Sequence, residues 1–170
     1  MEALRALVGR LRGVHPAAGV ALTLGWMGLV WSLSARENLD LAGGTAAGAW
    51  LTNLAHAPEY AALATWLALA ARRPGSPVAP APRAACWIVV ACALFGVTDE
   101  LHQSSVPGRD ASALDVVTDV VGATVAVLAL RAAADRRRFA RVVLWGLGAC
   151  LAAAAVATLL TSLYPEISWL

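Results

Sequence analysis

Charged residues are scarce in this chain, and lysine is missing altogether. Only 14% of the 170 residues are charged, 59% are hydrophobic and the mean hydropathy is +0.67. A soluble domain of this length needs more polar surface than that, so the composition predicts one small domain that faces lipid. All 13 basic residues are arginine. Together with the abundant alanine, this bias indicates a GC-rich bacterial genome rather than a particular partner.

Cysteine is also rare, and the common metal-binding patterns are absent. Cys86, Cys92 and Cys150 fall inside apolar runs without a CxxC pair, so we expect small hydrophobic side chains and no disulfide. No HExxH motif occurs. We therefore predict no cofactor, although His56 and His102 with a carboxylate leave a divalent metal open as an alternative.

Long apolar runs dominate what is present. Five segments are long enough to cross, as helices, a hydrocarbon layer about 30 Å thick. These segments are 17–34, 45–71, 84–103, 112–131 and 142–163. Asn53, His56, Pro58 and Glu59 interrupt the second segment, where a kinked or re-entrant helix is an alternative. The predicted fold class is an all-α integral membrane bundle of about five transmembrane helices.

Arginines are distributed unevenly around these segments. Eleven of the 13 lie in the flanks and loops on one side, which the positive-inside rule makes cytoplasmic. The eleven are Arg5, Arg10, Arg12, Arg72, Arg73, Arg83, Arg131, Arg136, Arg137, Arg138 and Arg141. We expect a multi-pass protein of the bacterial cytoplasmic membrane, with a cytoplasmic amino terminus and an extracytoplasmic carboxyl terminus. A cleaved signal peptide is the competing interpretation of the first segment, which is long for that role.

Polar side chains interrupt three segments, always in the half away from those arginines. In each segment they are spaced three or four residues apart and so share one helical face. They are Asn53, His56 and Tyr60 in the second segment, Asp99, His102 and Gln103 in the third, and Asp115 and Asp119 in the fourth. A charged side chain in hydrocarbon costs at least about 2.5 to 3.5 kcal/mol on insertion scales. We therefore expect these faces to meet around an internal pocket.

Three short motifs occur in order along the same segments. WSLSA occupies 31–35, HAPEY occupies 56–60, and DELHQSSVPGRDASALDVVTDVVGA occupies 99–123. The combination resembles the VanZ-like family, whose hallmark is a His on an early span followed by D-E-x-x-Q, P-G-R, S-x-x-D and G across a helix-loop-helix. One position departs, because many relatives have Asn where this chain has Asp119. The resemblance covers about 31–123 of a single predicted domain, 1–170, with the fifth helix following it.

The resemblance implies an envelope protein that acts on lipids. The family is named for a protein associated with resistance to the glycopeptide teicoplanin, and it has been grouped with membrane enzymes that act on phosphate-containing lipid head groups. The expected partners are membrane lipids, with a lipid-linked cell-wall precursor or a glycopeptide as further candidates and no nucleic acid.

An enzymatic interpretation assigns a role to each polar residue. His56 would act as general base or nucleophile, with Asp99 or Glu100 orienting it or acting as an acid. Arg109 would hold a lipid phosphate through its planar fork of donors, and Asp115 and Gln103 would position Arg109 or a water molecule. The candidate catalytic residues are His56, Asp99, Glu100, His102 and Asp115. The candidate substrate-binding residues are Arg109, Gln103, Tyr60, Asn53, Glu59 and Asp119.

Two other interpretations stay open. The same side chains could form a hydrogen-bonded network that only fixes helix packing. Alternatively, the pocket could bind or transport an envelope lipid or glycopeptide without altering it. The broken helices and internal repeats that often mark transporters are not evident in the sequence.

Overall fold

The computed structural model describes residues 2–36, 45–109, 111–164 and 168–169, and it is predominantly helical. Five long helices form a bundle: α2 (Pro16–Ser34), α3 (Ala46–Ala70), α4 (Pro82–Gln103), α5 (Ala113–Ala132) and α6 (Arg136–Leu163). A short helix, α1 (Glu2–Arg10), and a 3₁₀ turn (Leu11–Gly13) precede them. Two short strands, β1 (Ala111–Ser112) and β2 (Ser168–Trp169), pair in antiparallel fashion.

The long helices confirm the predicted all-α membrane fold. Four of them, α2, α4, α5 and α6, are long and apolar enough to cross a membrane. Helix α3 has 25 residues and is uninterrupted, with Pro58 inside it, so it is not a re-entrant segment. Polar residues such as Asn53, His56 and Glu59 lower the mean hydropathy of α3, so it is not among the four. The sequence predicted that the last helix starts at 142, but α6 already begins at Arg136. Its arginines, which lie outside the apolar run, form the first turns of the helix.

The helix starts follow from capping side chains. At the starts of α2, α3, α5 and α6, backbone N–H groups of the first turn donate to capping side chains. These side chains are His15, Thr45, Ser112 and Asp135. Helix α4 instead begins with Pro82, which suits a first helical position. The backbone N–H of Arg138, then that of Arg137 and the nearby arginine charges, lower the pKa of the Asp135 carboxyl.

The apolar core lies between α3, α4 and α5. Its members include Leu63, Leu69, Ile88, Cys92 and Val127, all buried. Glycines set the closest helix contacts, since a Cβ on Gly122 would lie 2.7 Å from the Ala57 Cα, so that α5 and α3 touch through their backbones. The outer surface carries exposed apolar side chains such as Trp87 and Trp145 on α4 and α6, which suits a lipid environment.

The two ends of the bundle differ in charge. Helices α2, α4 and α6 begin, and α3 and α5 finish, at the end that carries the eleven arginines, which we call the arginine end. There, Arg72 donates to the Val14 carbonyl before α2, and Arg131 donates to the Pro80 carbonyl before α4 (2.7 Å). The polar residues predicted to form a pocket therefore lie toward the opposite end.

Helix α1 was not predicted from the sequence. The Arg5 guanidinium donates to the carbonyl oxygens of Ala133 (2.8 Å) and Ala134 (3.0 Å), which follow α5. Glu2 also contacts Arg136 at 2.6 Å, in an ion pair whose side chains are largely exposed and which contributes little to stability. Helix α1 thus lies against the connection between α5 and α6.

Candidate functional site

His56 of α3 lies between two carboxylates of α5. Its Nδ1 is 3.0 Å from Asp119 Oδ1, and its Nε2 is 4.0 Å from Asp115 Oδ2. All three residues are buried, with exposed fractions of 9% for His56, 1% for Asp119 and 8% for Asp115. The spacing of four residues puts both aspartates on the α5 face that packs against α3. The structure therefore brings two of the predicted polar faces together.

The closest partner of His56 differs from the one expected. The sequence favoured Asp99 or Glu100 as the residue that orients His56, but Asp119 makes the direct hydrogen bond. Helix α4 accommodates the Asp119 side chain because Gly96 faces it, and a Cβ on Gly96 would lie 2.6 Å from Asp119 Oδ2. The hydrogen bond at Nδ1 directs the imidazole so that Nε2 faces Asp115.

Two carboxylates near the end of α4 accept hydrogen bonds from the end of α2 and from the start of α5. Asp99 Oδ2 accepts hydrogen bonds from Ser34 Oγ of α2 (2.7 Å) and from Gln103 Nε2 (3.1 Å). Glu100 Oε2 accepts from the backbone N–H of Ser112 (2.8 Å), the residue that caps α5. These contacts hold two buried carboxylates in fixed positions at the same end of the bundle as His56.

Arg109 lies half-buried in the turn between α4 and α5. Gly108, with a φ of 75°, adopts the left-handed conformation that this turn requires. One guanidinium nitrogen of Arg109 donates to Gln103 Oε1 at 2.8 Å. The structure gives Arg109 no ion pair with Asp115 among the described residues, and Asp110 lies outside them. Of the two expected positioning residues, only Gln103 contacts Arg109.

Asn53 connects the site to α6. Its side-chain nitrogen donates to Asp115 Oδ1 (3.0 Å), and its oxygen lies 2.9 Å from Thr158 Oγ1. The reverse orientation would set the amide oxygen against the carboxylate. All five long helices thus contribute to one group of side chains, which we call the polar cluster. Its members are Ser34, Asn53, His56, Asp99, Glu100, Gln103, Arg109, Ser112, Asp115, Asp119 and Thr158.

Three candidate residues are not joined to the polar cluster by a hydrogen bond within the described part of the chain. The His102 ring stacks on Trp31, with ring centroids 4.2 Å apart and an angle of 10° between the planes. Tyr60 is fully buried, but its hydroxyl has no partner there. Glu59 is half-buried and contributes only its backbone carbonyl, which accepts from Trp26 Nε1 (3.0 Å).

The position of His102 has a simple geometric reason. A residue three positions after Asp99 lies about 60° to one side of it around the helix, and a residue four positions after lies about 40° to the other side. Gln103 therefore turns toward the acidic residues, while His102 turns toward α2.

Metal-ligating atoms converge at one point of the polar cluster. One ligand atom each from His56, Glu100 and Asp115 lies within 4.8 Å of the others. This trio differs from the one that the sequence left open, since His102 is not part of it. A metal would thus be held by one histidine and two carboxylates.

The sequence missed three residues that shape the site. Ser34 and Ser112 donate to the two α4 carboxylates, and Thr158 contacts Asn53. Ser34 and Ser112 lie in the WSLSA and S-x-x-D motifs, which could have identified them. Thr158 lies in no such motif. Nothing in the sequence distinguishes it from Thr161 and Ser162 of the same helix, whose hydroxyls donate only to backbone carbonyls.

Comparison with known proteins agrees with the motif pattern. A family model described as VanZ/LLP1 matches residues 19–134, more than half of the chain. The matched stretch contains every member of the polar cluster except Thr158. Neither the curated proteins nor the solved structures contain a match to the chain. With its ordered motifs folded into one polar cluster and the family model spanning α2 to α5, the chain belongs to the VanZ/LLP1 family.

Proposed function

We propose that this protein lies in a bacterial cytoplasmic membrane with its arginine end in the cytoplasm and its polar cluster in the outer leaflet. The positive-inside rule supports this orientation, since the arginine end carries eleven of 13 arginines. Antiparallel helices then bring the polar side chains of α3, α4 and α5 to the outer half of the bundle.

The substrate we propose is the phosphate-containing head group of an envelope lipid or of a lipid-linked cell-wall intermediate. Arg109 carries this proposal. Its guanidinium is half-buried beside the polar cluster, and Gln103 occupies one of its nitrogens. A guanidinium has five N–H donors, so others are available for two parallel hydrogen bonds to phosphate. The family's association with teicoplanin resistance is consistent with a cell-wall substrate.

His56 would carry the chemistry as general base or nucleophile. Asp119 accepts its Nδ1 hydrogen bond, which orients the ring and favours proton uptake at Nε2. Glu100, held by the Ser112 N–H, would donate a proton to the leaving group. The resulting reaction would be head-group hydrolysis or transfer.

Turnover by purified protein in nanodiscs tests this function. Wild-type protein should alter the head group of a supplied phospholipid or polyprenyl phosphate, as read by mass spectrometry. His56→Ala should abolish turnover and keep part of the lipid binding, since binding relies on Arg109. An unchanged size-exclusion profile in detergent controls for folding.

Lipid or glycopeptide binding without chemistry is the second candidate function. Its support is that most polar atoms of the cluster already have partners inside the protein, as expected of a structural network. Lipid that binds tightly to wild-type protein and is recovered unaltered would favour this candidate and contradict the enzymatic one.

A further inference from the structure

We propose that His56, Glu100 and Asp115 bind a divalent transition-metal cation. The inference rests on the proposed function only in concerning the same polar cluster, because cation binding can be measured without any lipid. If the site holds a cation, His56 and Glu100 are ligands rather than the general base and the general acid.

The three ligands come from three helices and approach one point. His56 lies on α3, Glu100 on α4 and Asp115 on α5, and their ligand atoms are within 4.8 Å of one another. Around a tetrahedral zinc with bonds of about 2.1 Å, ligand atoms are about 3.4 Å apart. The 4.0 Å between His56 Nε2 and Asp115 Oδ2 is therefore closed by a small side-chain adjustment. Three protein ligands also leave a position open, as in catalytic metal sites.

His56 is oriented as metal-binding histidines are. The residue is nine-tenths buried, and its Nδ1 bonds to the Asp119 carboxylate at 3.0 Å. Its Nε2 has no hydrogen-bond partner in the described chain and faces Asp115. A histidine ligand almost always bonds through its other ring nitrogen to a carboxylate, a carbonyl or water, which fixes the tautomer and the ring orientation.

Glu100 and Asp115 likewise each form a hydrogen bond through one oxygen and leave the other oxygen for the metal. The Ser112 N–H holds Oε2 of Glu100 (2.8 Å), and the Asn53 amide holds Oδ1 of Asp115 (3.0 Å). The second oxygen of Asp115 faces His56. Among the described residues, the second oxygen of Glu100 receives only a 3.4 Å contact from Gln103. Each ligand is thus held by one atom while another stays available to the common point.

The charge of the polar cluster points to a cation as well. Asp99, Glu100, Asp115 and Asp119 are at most 8% exposed. Arg109 is the cationic side chain of the cluster, as far as the structure describes it, because a histidine that binds a metal is neutral. Buried carboxylates are costly unless they are paired or coordinate a metal. A dication offsets most of the excess negative charge that Arg109 leaves.

Zinc is the appropriate probe, because imidazole with carboxylates suits first-row transition metals. Zn²⁺ is titrated by calorimetry into the full chain in detergent, after removal of metal with EDTA and without added lipid. We expect one Zn²⁺ per chain. His56→Gln, Glu100→Gln and Asp115→Asn should each abolish binding, and Asp119→Asn should weaken it by about 10- to 100-fold, as loss of a partner behind a ligand does.

Asp99→Asn is the matched control, since it removes a buried carboxylate of the same cluster outside the ligand trio. It should keep most of the affinity. Absence of stoichiometric Zn²⁺ binding by folded wild-type protein, or equal loss in Asp99→Asn and Asp115→Asn, would overturn the proposal. Lipid turnover by protein that binds no Zn²⁺ would likewise overturn the proposal and leave the proposed function standing. Zn²⁺ binding by protein that does not alter lipid would support the proposal and contradict the proposed function. Circular dichroism checks that each variant is folded.

Discussion

Arg109 is attached to the rest of the polar cluster by a single hydrogen bond, to Gln103 Oε1. A lysine at this position keeps the positive charge and can still donate to Gln103. It loses the planar fork, however, so it cannot form two parallel bonds to one phosphate. Replacing Arg109 by lysine therefore distinguishes a phosphate-binding residue from a structural contact.

Arg109→Lys should therefore reduce lipid turnover by about tenfold or more, because one charged hydrogen bond contributes about 1.5 to 3 kcal/mol. Initial rates by lipid mass spectrometry measure the effect. Arg83→Lys, on an exposed residue at the arginine end, is the matched control and should be silent. If folded Arg109→Lys protein binds and alters lipid as wild type does, Arg109 is only a surface contact worth about 0 to 1 kcal/mol.

Helices α3 and α5 form the structural frame of the site. Gly122 lies one turn beyond Asp119, and its contact with Ala57 sets the distance between the two helices. That distance brings Asp119 and Asp115 to His56. The position of the buried His56–Asp119 hydrogen bond thus depends on a glycine that has no polar side chain.

Gly122→Ala should destabilise the protein by at least about 1 to 3 kcal/mol, because the new Cβ overlaps backbone that cannot move aside cheaply. Gly25→Ala is the matched control, since nothing lies within 4 Å of a Cβ there. That change should be neutral or stabilising by about 0.5 to 1 kcal/mol. Thermal unfolding in detergent, followed by circular dichroism, compares the two. Equal stability of both variants would contradict the close contact.

The whole molecule has a polar end and an arginine end, and its orientation in the membrane decides which leaflet the polar cluster can reach. Single cysteines report this orientation in a background where Cys86, Cys92 and Cys150 are replaced by alanine. The probe positions are Ser76 and Arg136 at the arginine end and Ser105 near the polar cluster.

Ser105→Cys should react with an impermeant thiol reagent in intact cells, whereas Ser76→Cys and Arg136→Cys should react only after permeabilisation. The reason is that the proposed orientation keeps the arginine end in the cytoplasm. Reaction at Ser76 from outside would reverse the orientation and put the polar cluster in the inner leaflet. Labelling of all three variants in permeabilised cells controls for accessibility.

The sequence was sufficient for the five long helices and for the faces that carry most of the polar residues. Apolar runs define helices, and spacing of three or four residues places Asp115 and Asp119 on one face. Spacing does not determine how a helix is rotated against its neighbours. The pairing of His56 with Asp119, and the turn of His102 toward Trp31, depend on that rotation. The contact with Thr158 depends on a helix 105 residues away in sequence from Asn53.

The opposite charges at the two ends of the bundle also couple the protein to the membrane potential. A bacterial membrane is negative inside, and moving one elementary charge across it changes the free energy by about 2.3 kcal/mol per 100 mV. In the proposed orientation, the positive end lies on the negative side and the carboxylates lie toward the positive side. The electric field of an energised cell therefore stabilises this orientation, and its collapse removes that contribution.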